Sequence, residues 1–250
     1  MYSRAIIILI EEEMIKKYVE SFTRKFFSNL VQVQSSVTQL LIKKSQETSR
    51  DHILSLYENM EVSRSTPLLF TSRAEIQRHI VNLLLTNQDQ VRKPYLLEFG
   101  VFKGTSLRYF AKKLKKFTCV GFDSFEGLQS NFGGVNSQLL FRLKGREPKF
   151  MPKNSIIIKG MVEETLGEFI LKKEVNISLV HLDLDVYSST KYVLKTLKPK
   201  LQSGTYLLFD EMFGNPFWEN GEYKALKDVF NVNEYYWIAF GPNQALIQLR

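Results

Sequence analysis

The chain has 250 residues, 44% of them hydrophobic and 24% charged, which is enough for one sizeable core and an appendage. Its net charge of +8 raises nucleic acid or an acidic substrate as a partner. The densest basic cluster, Lys112-Lys113-Leu114-Lys115-Lys116, falls instead at a predicted helix end, where cations complement the dipole, and no aromatic–basic interleaving suggests base stacking.

Nucleic acid is therefore not the expected partner. The apolar run Ala5 to Ile10 leads straight into Glu11-Glu12-Glu13, too short for a membrane span or a secretory signal, so a cytoplasmic protein is expected. Cys119 is the chain's one cysteine, which excludes an internal disulfide and a cysteine zinc site. It lies in an apolar run and reads as a buried, inert thiol.

In chain order, residues 1–70 read as an N-terminal helical segment, from Ile15, Val19 and Phe22, then Val33, Val37, Leu40 and Leu41, then Ile53, Leu56 and Tyr57. It carries no catalytic motif, so packing, homo-oligomerisation or a lid over substrate is expected of it. Residues 71–250 form the second domain. Thr71 or Ser72 caps a helix bearing Ile76, Ile80, Leu83 and Leu84, with Glu75 in its first turn.

Short apolar runs then alternate with helices. The runs are Tyr95–Phe99, Thr118–Asp123, Ser155–Lys159, Ile177–Asp183 and Thr205–Asp210. Helices are predicted over Thr105–Lys116, Val162–Lys173 and Ser188–Leu201. The alternation predicts an α/β fold, Rossmann-like and doubly wound, with a mainly parallel sheet of seven strands. Glu234–Phe240 and Gln244–Leu249, joined by Gly241-Pro242-Asn243, are the last two of the seven and form a C-terminal antiparallel hairpin. Gly127 to Lys153 is a long irregular connection, of the kind that is usually functional or mobile.

Chemistry gathers at the strand ends. Glu98, Gly100 and Gly104 form an acid-plus-glycine turn opening a helix, which suits close approach of a ligand backbone. Phe102 stands where a dinucleotide fingerprint has its second glycine, which argues against a pyrophosphate and so against an NAD-linked oxidoreductase. Asp123, at the next strand's tip, suits two ribose hydroxyls, or else it caps the turn Ser124-Phe-Glu-Gly127.

His181, Asp183 and Asp185 alternate onto one face if their strand extends that far. These carboxylates have no obvious cationic partner in sequence and need solvent or a bound cation. With Asp210-Glu211 on the adjacent strand, they suit Mg²⁺ or a similar divalent ion. His181 reads as a satisfied buried histidine before a metal ligand. Ser188-Ser189-Thr190 is expected to cap the following helix.

Three stretches, Glu98-Phe-Gly-Val-Phe-Lys-Gly-Thr-Ser106, Gly121-Phe-Asp-Ser-Phe-Glu-Gly-Leu128 and His181-Leu-Asp-Leu-Asp-Val-Tyr-Ser-Ser-Thr190, resemble the macrocin O-methyltransferase (TylF-like) group of class I S-adenosylmethionine methyltransferases. The resemblance spans about Thr71 to Leu249. It implies Mg²⁺ at Asp183, Asp210 and Glu211, where Glu211 replaces the family's second aspartate, and methyl transfer to a hydroxyl, often on a sugar. With the readings above, it assigns the cofactor to Glu98, Gly100, Gly104, Ser106, Asp123, Ser124, Gly160, Met161 and Asp183. Met161 stands where many relatives have an acid or amide for the adenine amine, and packing on the ring is its alternative role.

The implied reaction is an in-line, metal-assisted methyl transfer to a small-molecule or glycan acceptor. Catechol-type enzymes carry a lysine base where Val186 stands here, which leaves Asp185, His181 or a hydroxide on the metal as the base. Phe213 to Trp218 and Gly221-Glu-Tyr223 either line the acceptor pocket or are structural. A competing reading is a cofactor-binding scaffold without metal-dependent catalysis, compatible with the N-terminal helices and the Met161 and Glu211 departures.

Overall fold

The computed structural model describes residues 65–87, 92–128, 141–172, 175–213 and 218–250. The helices expected before residue 65, and self-association through them, lie outside the described residues. In chain order the elements are β1 (Leu68–Leu69), α1 (Arg73–Asn87), β2 (Pro94–Phe99), α2 (Thr105–Lys113), β3 (Thr118–Asp123), β4 (Ser155–Lys159), α3 (Val162–Lys172), β5 (Asn176–Leu182), α4 (Tyr187–Leu197), β6 (Tyr206–Phe209), α5 (Glu222–Val229), β7 (Tyr235–Phe240) and β8 (Ala245–Leu249).

The sheet runs β1-β7-β8-β6-β5-β2-β3-β4. Its central pairings are parallel, and β8 lies antiparallel between β6 and β7. The C-terminal hairpin thus forms as expected, but among the described residues the sheet has eight strands rather than seven. The added strand, β1, pairs with β7 through Leu68 and Leu69, extended by the Phe70 N–H donating to the Phe240 carbonyl. Two apolar residues are too short a run to announce a strand by periodicity.

Alternation along the strands divides the core into two layers. Leu97, Phe99, Val180, Leu182, Leu207 and Phe209 face α3, α4 and α5, which contribute Leu166, Phe169, Val193, Leu194 and Leu226. Leu96, Leu179 and Leu208 face α1 and α2, which contribute Ile76, Ile80, Leu84, Leu107 and Phe110. Helices therefore cover both faces, the condition for a buried parallel sheet. Order reverses around β2, whose neighbours are β3 and β5, and that switch point opens a crevice beyond the carboxyl ends of the strands.

Local chemistry sets the element that matters most for the crevice. At the start of α1 the Glu75 N–H donates to Ser72 Oγ at 3.3 Å, and Glu75 Oε2 accepts from the Thr71 N–H and hydroxyl. Ser72 is thus the cap, and Arg73 becomes the first helical residue. The Ser188–Thr190 triplet does not cap α4, because the helix begins at Tyr187 after Val186. Ser189 instead donates to Glu163 on α3, and Thr190 is buried.

Candidate active site

A cleft of about 260 Å³ lies over the switch point, near the lower end of the roughly 300–1,000 Å³ usual for small-ligand sites. Each central strand contributes its carboxyl end to the wall. Gly100 and Phe102 follow β2, and Asp123 and Ser124 end β3. Gly160 and Met161 follow β4, Asp183 to Val186 follow β5, and Asp210 and Glu211 follow β6. Arg73 reaches in from the start of α1.

The glycine turn is built around a close crossing of chains. Gly100 has φ +88°, and a Cβ there would stand 1.8 Å from the Asp183 carbonyl oxygen. Asp123 holds the same turn from the other side. Its Oδ2 accepts from the Val101 and Phe102 N–H groups at 2.8 and 2.7 Å, and its Oδ1 accepts from the Phe125 N–H at 2.6 Å. Asp123 is therefore on the wall, as the strand-tip reading expected, but its carboxylate also pins the loop. Phe102 takes φ +48° and sets its ring edge-on to Phe141, with centroids 5.4 Å apart.

Three of the residues assigned to the cofactor lie off the wall. Glu98 is fully buried, accepting from the Ser106 hydroxyl at 2.9 Å and bonded to His181 Nδ1 at 3.0 Å. The reason is positional: β2 continues to Phe99, so Glu98 is an interior strand residue facing α2. Ser106 is turned toward Glu98 by the same bond. Gly104 faces Met151 and Pro148 of the long connection, whose atoms come within 3.1–3.2 Å of where its Cβ would be.

His181 also lies beneath the cleft, fully buried under Phe110. Its Nε2 lies 3.6 Å from Asp210 Oδ1 and has no hydrogen-bond partner. Burial alone would lower its pKa, but the Asp210 and Glu98 carboxylates outweigh burial and push it up to about 10. The ring is thus a buried imidazolium between two carboxylates, unable to ligate a metal in that state.

The acidic tips converge, though not as alternation predicted. β5 ends at Leu182, and Asp185 has a left-handed φ of +59°, so Asp183 and Asp185 occupy a loop. Asp185 and Glu211 are each raised to about 7, chiefly by burial and then by neighbouring carboxylates. Asp210 is held low by the His181 and Arg73 charges and the Gln244 amide, against the burial that would raise it.

Among the described residues, the set whose donor atoms all lie within 4.8 Å of one another is His181, Asp183 and Asp210, not Asp183, Asp210 and Glu211. The two carboxylates and the surplus of negative charge suit a hard divalent ion. A cation already stands among them, however. The Arg73 guanidinium is 3.0 Å from Asp183 Oδ2 and 2.9 Å from Asp210 Oδ1. The carboxylates expected to lack a cationic partner have one.

Sequence reasoning missed Arg73, and it gave Glu222 no role beyond its place in the Gly221–Tyr223 stretch. Glu222 is 1% exposed and accepts from the Glu211 N–H at 3.0 Å, and burial raises its pKa well above the ordinary value. The aromatics read as possible acceptor-pocket residues are structural where they are described: Trp218 and Tyr223 pack in the core with ring centroids 5.1 Å apart.

A family model described as a methyltransferase domain matches residues 97–212. Among solved structures, the chain is similar to CalS11, a calicheamicin methyltransferase, at 24% identity over 70% of this chain and 79% of that one, with a TM-score of 0.58. An apo structure of CalS11, described as a TDP-rhamnose 3'-O-methyltransferase, gives 24% identity, 70% and 80% coverage and a TM-score of 0.52. The O-methyltransferase NovP gives 20% identity, 71% and 79% coverage and a TM-score of 0.52. No curated protein sequence matches the chain.

The chain therefore has the Rossmann-like α/β fold seen in these O-methyltransferases, and residues 97–212 match a methyltransferase domain. No helix among the described residues is long and apolar enough to cross a membrane.

Proposed function

We propose that the chain transfers the methyl group of S-adenosylmethionine to a hydroxyl of a sugar or other small glycan acceptor, as in the macrocin O-methyltransferase group. The observation that carries the reading is the convergence of the Gly100 turn, Asp123 and the Asp183–Asp185 loop on one cleft, with Asp210 and Glu211 at its end. The likeness to CalS11 and NovP supports a sugar acceptor. Cytoplasmic work is part of this reading.

S-adenosylmethionine, when bound, supplies a methyl already activated on its sulfonium sulfur. The chain's task is then to position the acceptor oxygen in line and to take its proton. Gly100, Asp123, Ser124, Gly160 and Met161 line the cofactor's part of the cleft, with Met161 offering a thioether face to an aromatic ring. Asp185 is the proton acceptor in this reading: it faces the cleft, and its carboxyl is tuned near neutrality. His181 does not line the cleft and acts as a positioning residue, its buried ring lying 3.6 Å below Asp210 Oδ1. Asp183 and Asp210, with Glu211 beside them, would hold Mg²⁺, which would polarise the acceptor oxygen.

The test is transfer of isotopically labelled methyl from S-adenosylmethionine to a panel of sugars and nucleotide sugars. Wild type should label an acceptor hydroxyl, and Asp183→Ala should lose about a hundredfold or more of that rate. Chelation should depress the wild-type rate; full activity under chelator removes Mg²⁺ from the reading. Unchanged activity in Asp183→Ala overturns the acidic centre itself. Tight cofactor binding with no labelled product from any acceptor would favour the scaffold reading.

A further inference from the structure

Arg73 is placed against local preference. It is the first residue of α1, where the helix dipole disfavours a cation, and it stands 110 residues from Asp183 in sequence. Conflict between a local rule and the native placement marks positions held by something else. Here the holders are the Asp183 and Asp210 carboxylates, bridged by Arg73 Nη2 at 3.0 and 2.9 Å. Those two residues belong to the same close-set donor group that would ligate an ion.

We propose that Arg73 is the resident cation of this acidic site, and that its guanidinium and a divalent ion compete for one position between Asp183 and Asp210. The inference rests on the metal part of the function proposed above. A Mg²⁺ ion takes oxygen ligands at roughly 2.1 Å, so an ion bound to both oxygens would lie within the reach of Arg73 Nη2, and two cations that near repel. The site is built to release one and accept the other.

The Arg73 side chain is 45% exposed and flexible, whereas Asp210 is 4% exposed and held by Gln244 at 3.1 Å. The Arg73 guanidinium reaches Asp183 and Asp210, and Asp185 and Glu211 line the same cleft, so acidic side chains outnumber the cation there. A divalent ion supplies the missing charge, and Arg73, once displaced, swings to the cleft mouth.

Mn²⁺ serves as the probe, read by the electron paramagnetic resonance signal of the free ion in titrations of the full chain. Arg73→Ala and the bulk-preserving Arg73→Gln should each bind Mn²⁺ about tenfold or more tighter than wild type. In the wild type, saturating Mn²⁺ should speed phenylglyoxal modification of Arg73, followed by mass spectrometry of its peptide. That arm holds even if the variants fold poorly. Equal Mn²⁺ affinity in all forms, or labelling of Arg73 unchanged by Mn²⁺, overturns the competition while leaving a metal site standing. Absence of Mn²⁺ binding in every form overturns both, and S-adenosylmethionine binding, measured separately, tells whether the cofactor cleft survives.

Discussion

Gly100→Ala is expected to destabilise the protein by about 4 kcal/mol or more and to abolish cofactor binding. The added Cβ would lie 1.8 Å from the Asp183 carbonyl oxygen and 2.7 Å from its carbon. Both are backbone atoms, so no side chain can swing aside. The φ of +88° adds strain that any residue with a Cβ would bear. Relief requires β2 and the β5 loop to separate, which breaks the bond from the Asp183 N–H to the Phe99 carbonyl at 2.8 Å. That separation moves the glycine turn and Asp183 together, so folding and binding fail as one event. Urea unfolding and a ligand titration measure the two losses. A variant that melts like wild type and still binds would show that the crossing is looser than these distances.

The second large effect lies under the cleft, at the buried Glu98–His181 pair. Both side chains are fully buried, and the ring nitrogen lies 3.0 Å from the carboxylate. Removing the Glu98 charge leaves the buried ring with Asp210 alone, so Glu98→Gln should cost on the order of 3 kcal/mol at pH 6. The pH dependence follows from the direction of the His181 shift. Its folded pKa is raised to about 10 from an ordinary value of 6.5. The folded state therefore holds the proton more tightly, and the stabilisation is fully present below pH 6.5.

That stabilisation is lost as pH rises through about 10. Asp185 and Glu211, raised to about 7, act in the same direction over a lower range. Their protonation favours the folded state, so stability falls as pH rises from the ordinary carboxylate range through 7. Wild type should unfold at lower urea at pH 9.5 than at pH 6, and Glu98→Gln should narrow that gap. Equal midpoints for wild type at both pH values would contradict an imidazolium at His181.

The strands that carry the site could be read from their residues because each is an apolar run ended by a turn residue. Thr118–Asp123 and Ser155–Lys159 match the structure to the residue. Strand tips in a parallel sheet then bring Asp123, Asp183 and Asp210 to one edge without further information. Direction was harder to read than position. Glu98 stands one residue inside the end of β2, which turns its side chain into the core, a parity that the apolar run alone does not display. Asp185 escaped alternation because β5 stops at Leu182.

The remaining parts depend on packing between distant elements. Arg73 meets Asp183 only because the apolar face of α1 seats the helix on the sheet beside β2. No spacing in the sequence encodes that approach. The α5 helix was hidden for a different reason: its buried Tyr223 and the nearby Trp218 looked like a ligand wall, and aromatics at helical spacing serve a core equally well.

The central claim is that the cleft between Gly100, Asp123, Met161 and Asp183 holds S-adenosylmethionine. Calorimetric titration of the full chain with S-adenosylmethionine and with S-adenosylhomocysteine tests it most directly. One saturable site per chain, for which the two ligands compete and NADH does not, is the predicted result. Folded protein that binds neither ligand, or that binds NADH in their place, would contradict the account.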